Sequence, residues 1–252
     1  MERVDRPTVA TFFAEGPFVG GASTTLGEDA AHHIRVRRLE VGERVALVDG
    51  AGSVARGTLI RVARGHAVVD VDGVERIPPL PAVHMLVPVA DRERMLLLAE
   101  KCTELGASSW RPVMWRRSRS VSPRGEGAGF QGKVRARMAN ALTQCEGAWL
   151  PDLHPDAPLE RAVAATPAGL RIVLDADAPP LLSLPVAGVV SVAVGPEGGL
   201  ERAERDELVA AGFVPASLGG HILRFETAAV AALAIVRAVL TLHPSPTLEH
   251  DG

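Results

Sequence analysis

The chain has 252 residues, 47% of them hydrophobic and 23% charged, with a formal net charge of −3 at pH 7. That is enough apolar chain for a full core in one large domain or two smaller ones. Charges or prolines break the longest apolar runs well before twenty residues, so no membrane span is expected, and residues 1–7 hold no signal-peptide core. Cys102 and Cys145 fit neither a disulfide framework nor a paired-cysteine metal site, which makes a reducing cytoplasm the simplest location. The chain has no tyrosine and only 4% aromatics, which argues against aromatic stacking platforms for single-stranded RNA.

Residues 1–75 hold short β-type segments at 46–48, 57–62 and 67–71, with Asp49-Gly50 and Arg64-Gly65 as turn signals between them. A helix over 28–39 interrupts them, and the pattern is that of a small β-barrel. Within it, the adjacent His32 and His33 point to different faces, which suits packing or capping better than a metal site. Residues 76–82 contain Pro78, Pro79 and Pro81 and form a stiff linker.

The second domain, 83–243, opens with a buried strand at 83–89 and a helix at 91–105 that carries Met95, Leu98, Cys102 and Leu105 at helical spacing. A strand at 110–114 follows. Between Arg111 and Arg137 stand eight Lys/Arg against Glu126 alone, a local +7 that leaves −10 for the rest of the chain. Such a patch is either the footprint of a phosphate-backbone contact or a solvated loop. The Gly- and Arg-rich segment 119–132 reads as mobile, and a helix follows over 133–144. A short helix at 158–165 and a strand at 171–175 lead to the last third. The tail from Pro244 is polar and is expected to be disordered.

Two stretches organise that last third. Gly195-Pro196-Glu197-Gly198-Gly199-Leu200 follows a buried apolar strand, 189–194, and precedes a helix over 201–211. Glu201 and Glu204 suit the positive end of that helix, and Glu201 can pair with Arg205 at i,i+4. Leu218 to Ala228 repeats the plan, with a strand at 214–218 before it and a long Ala/Val/Leu-rich helix over 226–242 after it. Glycine loops at the carboxyl ends of neighbouring strands form the crevice where open α/β sheets take ligands. Neither loop is a G-x-G-x-x-G or a phosphate loop.

The two loops together resemble the signature of the SPOUT methyltransferases, and within them the RsmE family, which methylates N3 of a uridine in small-subunit ribosomal RNA. Its motifs read roughly G-P-E-G-G-hydrophobic-Ser and L-G-x-x-I-L-R-x-E-T-A. Elsewhere His32 to Leu39 is similar to its H-H-I-x-R-V-L-R-L pattern, shortened by one residue. Lys101 to Gly106 and Pro112 to Ser118 resemble K-x-x-E-L-G and P-x-x-x-x-R-S. The chain departs from the family's E-Q-S/C-x-x-R at Thr143 and after Cys145, and has Glu201 where the family has Ser.

The resemblance implies a SPOUT-type knotted α/β domain with a mostly parallel sheet, behind a PUA-like β-barrel. It implies S-adenosylmethionine as cofactor, held by Leu174, Val194, Gly195, Pro196, Gly198, Gly199, Leu218, Gly219, Ile222 and Leu223, with no metal. The donor already carries its leaving group, so the protein has only to align the methyl with uracil N3 and manage the N3 proton. Arg224 is the candidate for stabilising charge on uracil, and Glu226 or Glu197 for the proton; for both carboxylates a helix-capping role is the competing reading. Arg35, Arg38, Arg116, Arg117 and Arg119 are the candidate RNA contacts. The implied partners are 16S ribosomal RNA in the small subunit, with uridine 1498 in ribosomal RNA numbering as the family target, and a second copy of the chain in a homodimer. The competing functions are ribose 2′-O methylation on the same fold and a non-catalytic RNA-binding assembly factor.

Overall fold

The structure is a computed structural model that describes residues 8–120 and 124–242, so the expected tail lies outside the described residues. The chain folds into two units, 1–79 with 139–150, and 80–138 with 151–252.

The first unit is a five-stranded sheet. Its strands are β1 (Ala10–Phe13), β2 (Ser23–Leu26), β3 (Arg44–Val48), β4 (Ser53–Val62) and β5 (Ala67–Arg76), in the order β1-β3-β4-β5-β2. Only β1 and β3 run parallel. Alternate residues of β4 are buried, as a strand with one covered face requires. Phe12, Leu26, Leu47, Leu59 and Val69 meet Ile34 of helix α1 (Glu28–Val36) in its core. His33 sets its ring edge-on to Phe12, a packing role.

α1 is shorter than the sequence suggests. Arg37 caps it, Arg38 takes a left-handed φ of 57°, and the Leu39 amide returns to the Ile34 carbonyl at 3.0 Å. Arg35 and Arg38 therefore do not share a helical face. Residues 139–150, expected in the second domain, also belong to this unit. Leu150 N donates to Gly50 O and Gly52 N to Ala148 O, each at 2.9 Å, while the Trp149 indole donates to Ile77 O at 2.9 Å.

The second unit carries an all-parallel sheet of β6 (Val83–Pro88), β7 (Ser109–Met114), β8 (Asp152–Leu153), β9 (Ala157–Pro158), β10 (Leu170–Leu174), β11 (Val190–Ala193) and β12 (Phe213–Ala216). Its order is β12-β10-β11-β6-β7-β8, with β9 also on β7. From β6 the chain first moves outward through β7 and β8, then returns to build β10, β11 and β12 on the other side. The direction changes between β6 and β11, the kind of switch point where open sheets bind ligands. Helices α2 (Arg92–Glu104), α3 (Ala128–Gln144), α4 (Leu159–Ala164), α5 (Arg202–Ala210) and α6 (Phe225–Leu242) connect or close the strands.

Three local expectations are corrected. α3 begins five residues early, inside the segment that reads as mobile. Gly125 allows this, because a Cβ there would sit 2.5 Å from Met95 Sδ and from the Phe130 ring; its amide bonds Ala90 O at 2.8 Å. Glu201 does not pair with Arg205, which turns instead to Asp175 at 3.3 Å. Finally, α6 is long and apolar enough to cross a membrane by length and composition. Here it packs on α2, β6 and β11, burying Ala229, Ala232, Leu233, Val236 and Leu240. Arg237 is buried on the same helix, donating to the carbonyls of Pro81, Leu105 and Gly106.

Candidate active site

Three loops leave the carboxyl ends of the adjacent strands β10, β11 and β12 and enclose a cavity of about 310 Å³. Each wall has its own fastening. The first, after β10, is zipped to the exit of β12, where Leu181 N donates to Ser217 O at 2.8 Å and Ser217 N to Pro179 O at 2.9 Å. The second is the Gly-Pro-Glu-Gly-Gly turn, closed by Gly199 N to Pro196 O at 2.8 Å. Gly199 has φ +72° there, a conformation that strains any residue with a Cβ. The third runs from Leu218 to Phe225 and turns at Gly219, φ +140°.

Nine of the ten expected cofactor residues line this cavity: Leu174, Val194, Gly195, Pro196, Gly199, Leu218, Gly219, Ile222 and Leu223. Gly198 does not. It faces Arg117, whose Cβ lies 3.1 Å from where a Cβ would stand and whose guanidinium donates to the Gly198 carbonyl at 2.5 Å. The cavity also takes Asp175, Asp177, Arg205 and His221, which carry no motif. Only the position of Asp175 and Asp177, directly after an apolar strand, signals them. Volume and lining suit a cofactor of drug-like size with both apolar and polar parts.

At the rim, the proposed proton-handling groups converge on a residue without a sequence signal. Arg94, in the first turn of α2, is ion-paired with Glu197 and brings its Nε to 3.9 Å from Glu226 Oε1. Asp91 caps this helix through the Glu93 and Arg94 amides and so fixes where Arg94 begins. The Glu226 side chain is only 13% exposed, and its Oε2 is buried without a hydrogen-bond partner among the described residues. Arg224 is exposed and its guanidinium has no partner among the described residues. Glu197 is thus held in an ion pair, Arg224 is open to solvent, and Glu226 has one oxygen to spare.

The basic turn Arg116–Ser120 is fastened to the second loop from below. Glu204, 4% exposed, accepts from the Arg116 amide at 2.8 Å through one oxygen and from the Glu201 amide at 2.9 Å through the other. Arg116 reaches Glu201 loosely, at 3.6 Å across exposed surface. The side chain of Arg119 lies outside the described residues. In the first unit, Arg35 donates to the carbonyls of Ala63 and Arg64 at 2.9 and 2.6 Å, securing the β4–β5 turn. Arg38 is exposed without a side-chain partner among the described residues, so it is the freer of the two. Cys102 is buried and its thiol is pushed up by that burial, away from nucleophilic use.

An open parallel sheet with a glycine-loop crevice at its switch point, following a separate mixed sheet, defines a ligand-binding α/β class. Residues 78–237 match the RNA methyltransferase domain, and residues 26–72 match the RNA methyltransferase PUA domain. Curated relatives narrow this further. The ribosomal RNA small subunit methyltransferase E of Mycobacterium bovis is 31% identical over 237 residues, 89% of each chain. That of Synechocystis sp. is 31% identical over 233 residues, 87% of this chain and 74% of the relative. A methyltransferase from Legionella pneumophila, solved with bound SAM, superposes with a TM-score of 0.84 at 27% identity, covering 93% of this chain and 98% of that one. The chain belongs to the ribosomal RNA small subunit methyltransferase E family, built on a SPOUT-type α/β domain with a PUA-like partner domain.

Proposed function

We propose that the chain transfers the methyl group of S-adenosylmethionine to N3 of a uridine in 16S ribosomal RNA, the position equivalent to uridine 1498, as a cytoplasmic homodimer. One observation carries the mechanism: Glu226, next to the crevice-lining Phe225, has a buried oxygen without a hydrogen-bond partner among the described residues.

S-adenosylmethionine, when bound, supplies an electrophilic methyl on a sulfonium. The residues of the chain supply the rest. The loop backbones from Leu174, Gly195 and Leu218 form the walls that orient the donor. Glu226 accepts the N3 proton as uracil becomes a nucleophile, through the oxygen that has no hydrogen-bond partner among the described residues. Arg94 orients that carboxylate, and through Glu197 it couples the α6 start to the second loop. Arg224 meets the negative charge that develops on the uracil oxygens. Arg38, Arg116 and Arg117 contact the phosphate backbone.

The dimer reading rests on α6. Its half-buried and exposed positions Val230, Ala231, Ala234, Ile235 and Ala238 form an apolar stripe, and Ile222 beside the crevice is 93% exposed. A second copy covers both.

The test is methyl transfer by the purified chain on 16S ribosomal RNA and on small subunits, with the product nucleoside identified by mass spectrometry. The expected product is 3-methyluridine, with Glu226→Gln lowering kcat about 100-fold while S-adenosylmethionine still binds. A methyl on ribose 2′-O overturns the assignment of the base, and full activity in Glu226→Gln removes that residue from the reaction.

A further inference from the structure

A second cavity, of about 230 Å³, lies on the same parallel sheet toward the amino ends of its strands, away from the glycine loops. Strand register explains its polarity. Ser191, His84, Ser109 and Asp152 are paired in succession across β11, β6, β7 and β8, forming one cross-strand row. Two residues further along β6 and β7, Leu86 pairs with Arg111, and His154 follows directly after β8. Parallel strands buried on both faces ordinarily read as apolar runs. Here a polar row has been built into one.

Leu86 and Ser109 are buried, His84, Arg111 and His154 half-buried, and Asp152 and Pro167 exposed. The His84 Nδ1 and the Ser109 hydroxyl stand 2.8 Å apart. The Arg111 guanidinium has no hydrogen bond or ion pair among the described residues, although Asp152 lines the same cavity. In the next strand of the row, the buried Ser191 hydroxyl is also without a partner among the described residues. A half-buried guanidinium without an acceptor is costly unless something fills that role. Its planar fork fits a tetrahedral oxyanion.

We propose that this cavity is a second ligand site, binding a phosphate-class oxyanion through Arg111, His84, His154 and the Ser109 hydroxyl. The charges around the histidines make binding sensitive to pH. Burial pushes the His84 imidazole below its usual range, and His154, Arg111 and Arg237 on α6 push it the same way, with Asp152 alone opposing. Burial and Arg111 do the same to His154, again against Asp152. An anion in the cavity reverses the balance, so the histidines take up protons as it binds, and affinity rises as pH falls. The ligand is either a free anion or a phosphodiester of the bound RNA; both present the same oxygens.

Sulfate is the suitable probe, because its charge is constant between pH 6 and pH 8. Calorimetric titration of the full chain should show sulfate binding at pH 6 and at least tenfold weaker binding at pH 8. Arg111→Met should abolish it, and His154→Gln should leave binding while reducing the pH response. A short RNA strand that displaces sulfate from the parent but not from Arg111→Met assigns the site to the nucleic-acid backbone. Failure of RNA to compete assigns it to a free anion. Absence of sulfate binding in the parent at both pH values overturns the proposal, and so does binding that survives Arg111→Met. The parent's own pH response stands even where a variant fails to fold, and S-adenosylmethionine binding reports the fold of each variant independently.

Discussion

Replacing Glu204 by alanine tests how the basic turn and the cofactor loop are held together. Glu204 is buried, and its two oxygens bond the backbone amides of Arg116 and Glu201 at 2.8 and 2.9 Å. Each bond has a charged acceptor and is worth about 1.5–3 kcal/mol, and alanine leaves both amides without a partner. The expected loss is about 4 kcal/mol, a fall in Tm of about 10 °C for a unit of this size. Glu204→Gln keeps one acceptor oxygen and turns an amide NH2 toward the other donor, so about half of that loss is expected. Urea unfolding followed by circular dichroism reads the stability, and titration with 16S ribosomal RNA at two salt concentrations reads the turn. A weaker dependence of RNA binding on salt should accompany the lost stability, because Arg116 and Arg117 lose their fixed position. Glu204→Ala within about 1 kcal/mol of the parent would refute the reasoning, since it would mean that water replaces the carboxylate without penalty.

Arg237→Leu leaves the carbonyls of Pro81, Leu105 and Gly106 without their shared donor, and about 3 kcal/mol of stability should be lost, read by the same unfolding assay. Acid should weaken the fold through His84 and His154. Both are held below the usual 6.5, so their contribution is fully present above that pH and is lost as pH falls from 6.5 through their lower folded values. A His84→Gln/His154→Gln double variant should flatten the fall in urea midpoint between pH 7 and pH 5 measured without sulfate. An unchanged slope would remove the histidines as its cause. Arg94→Ala should reduce kcat by about tenfold or more with S-adenosylmethionine affinity little changed, because Glu226 loses the cation that orients its carboxylate. Loss of cofactor binding alone would make Arg94 a structural clamp.

The parts legible in the sequence are those governed by local chemistry. The two glycine loops, the apolar strands before them and the α6 pattern each announce themselves within about ten residues. β1 and β2 do not, because each has only four residues, and Ser23–Leu26 buries only its leucine. The early start of α3 is hidden by three glycines between 125 and 129, which read as a loop unless Met95 and Phe130 are known to press on Gly125. Arg94 and Glu204 carry no motif. Their roles depend on partners 103 and 88 residues away, distances that no periodicity spans. Arg35 is the opposite case: its family position suggests RNA, and only the fold shows that its guanidinium also donates to the carbonyls of Ala63 and Arg64.

The most direct measurement is nucleoside mass spectrometry of 16S ribosomal RNA from cells with and without the gene, followed by addition of purified protein and S-adenosylmethionine. The mechanism predicts that a single 3-methyluridine disappears with the gene, returns with the parent protein and does not return with Glu226→Gln. A methylation pattern identical in both cells, with no transfer in vitro, would contradict it.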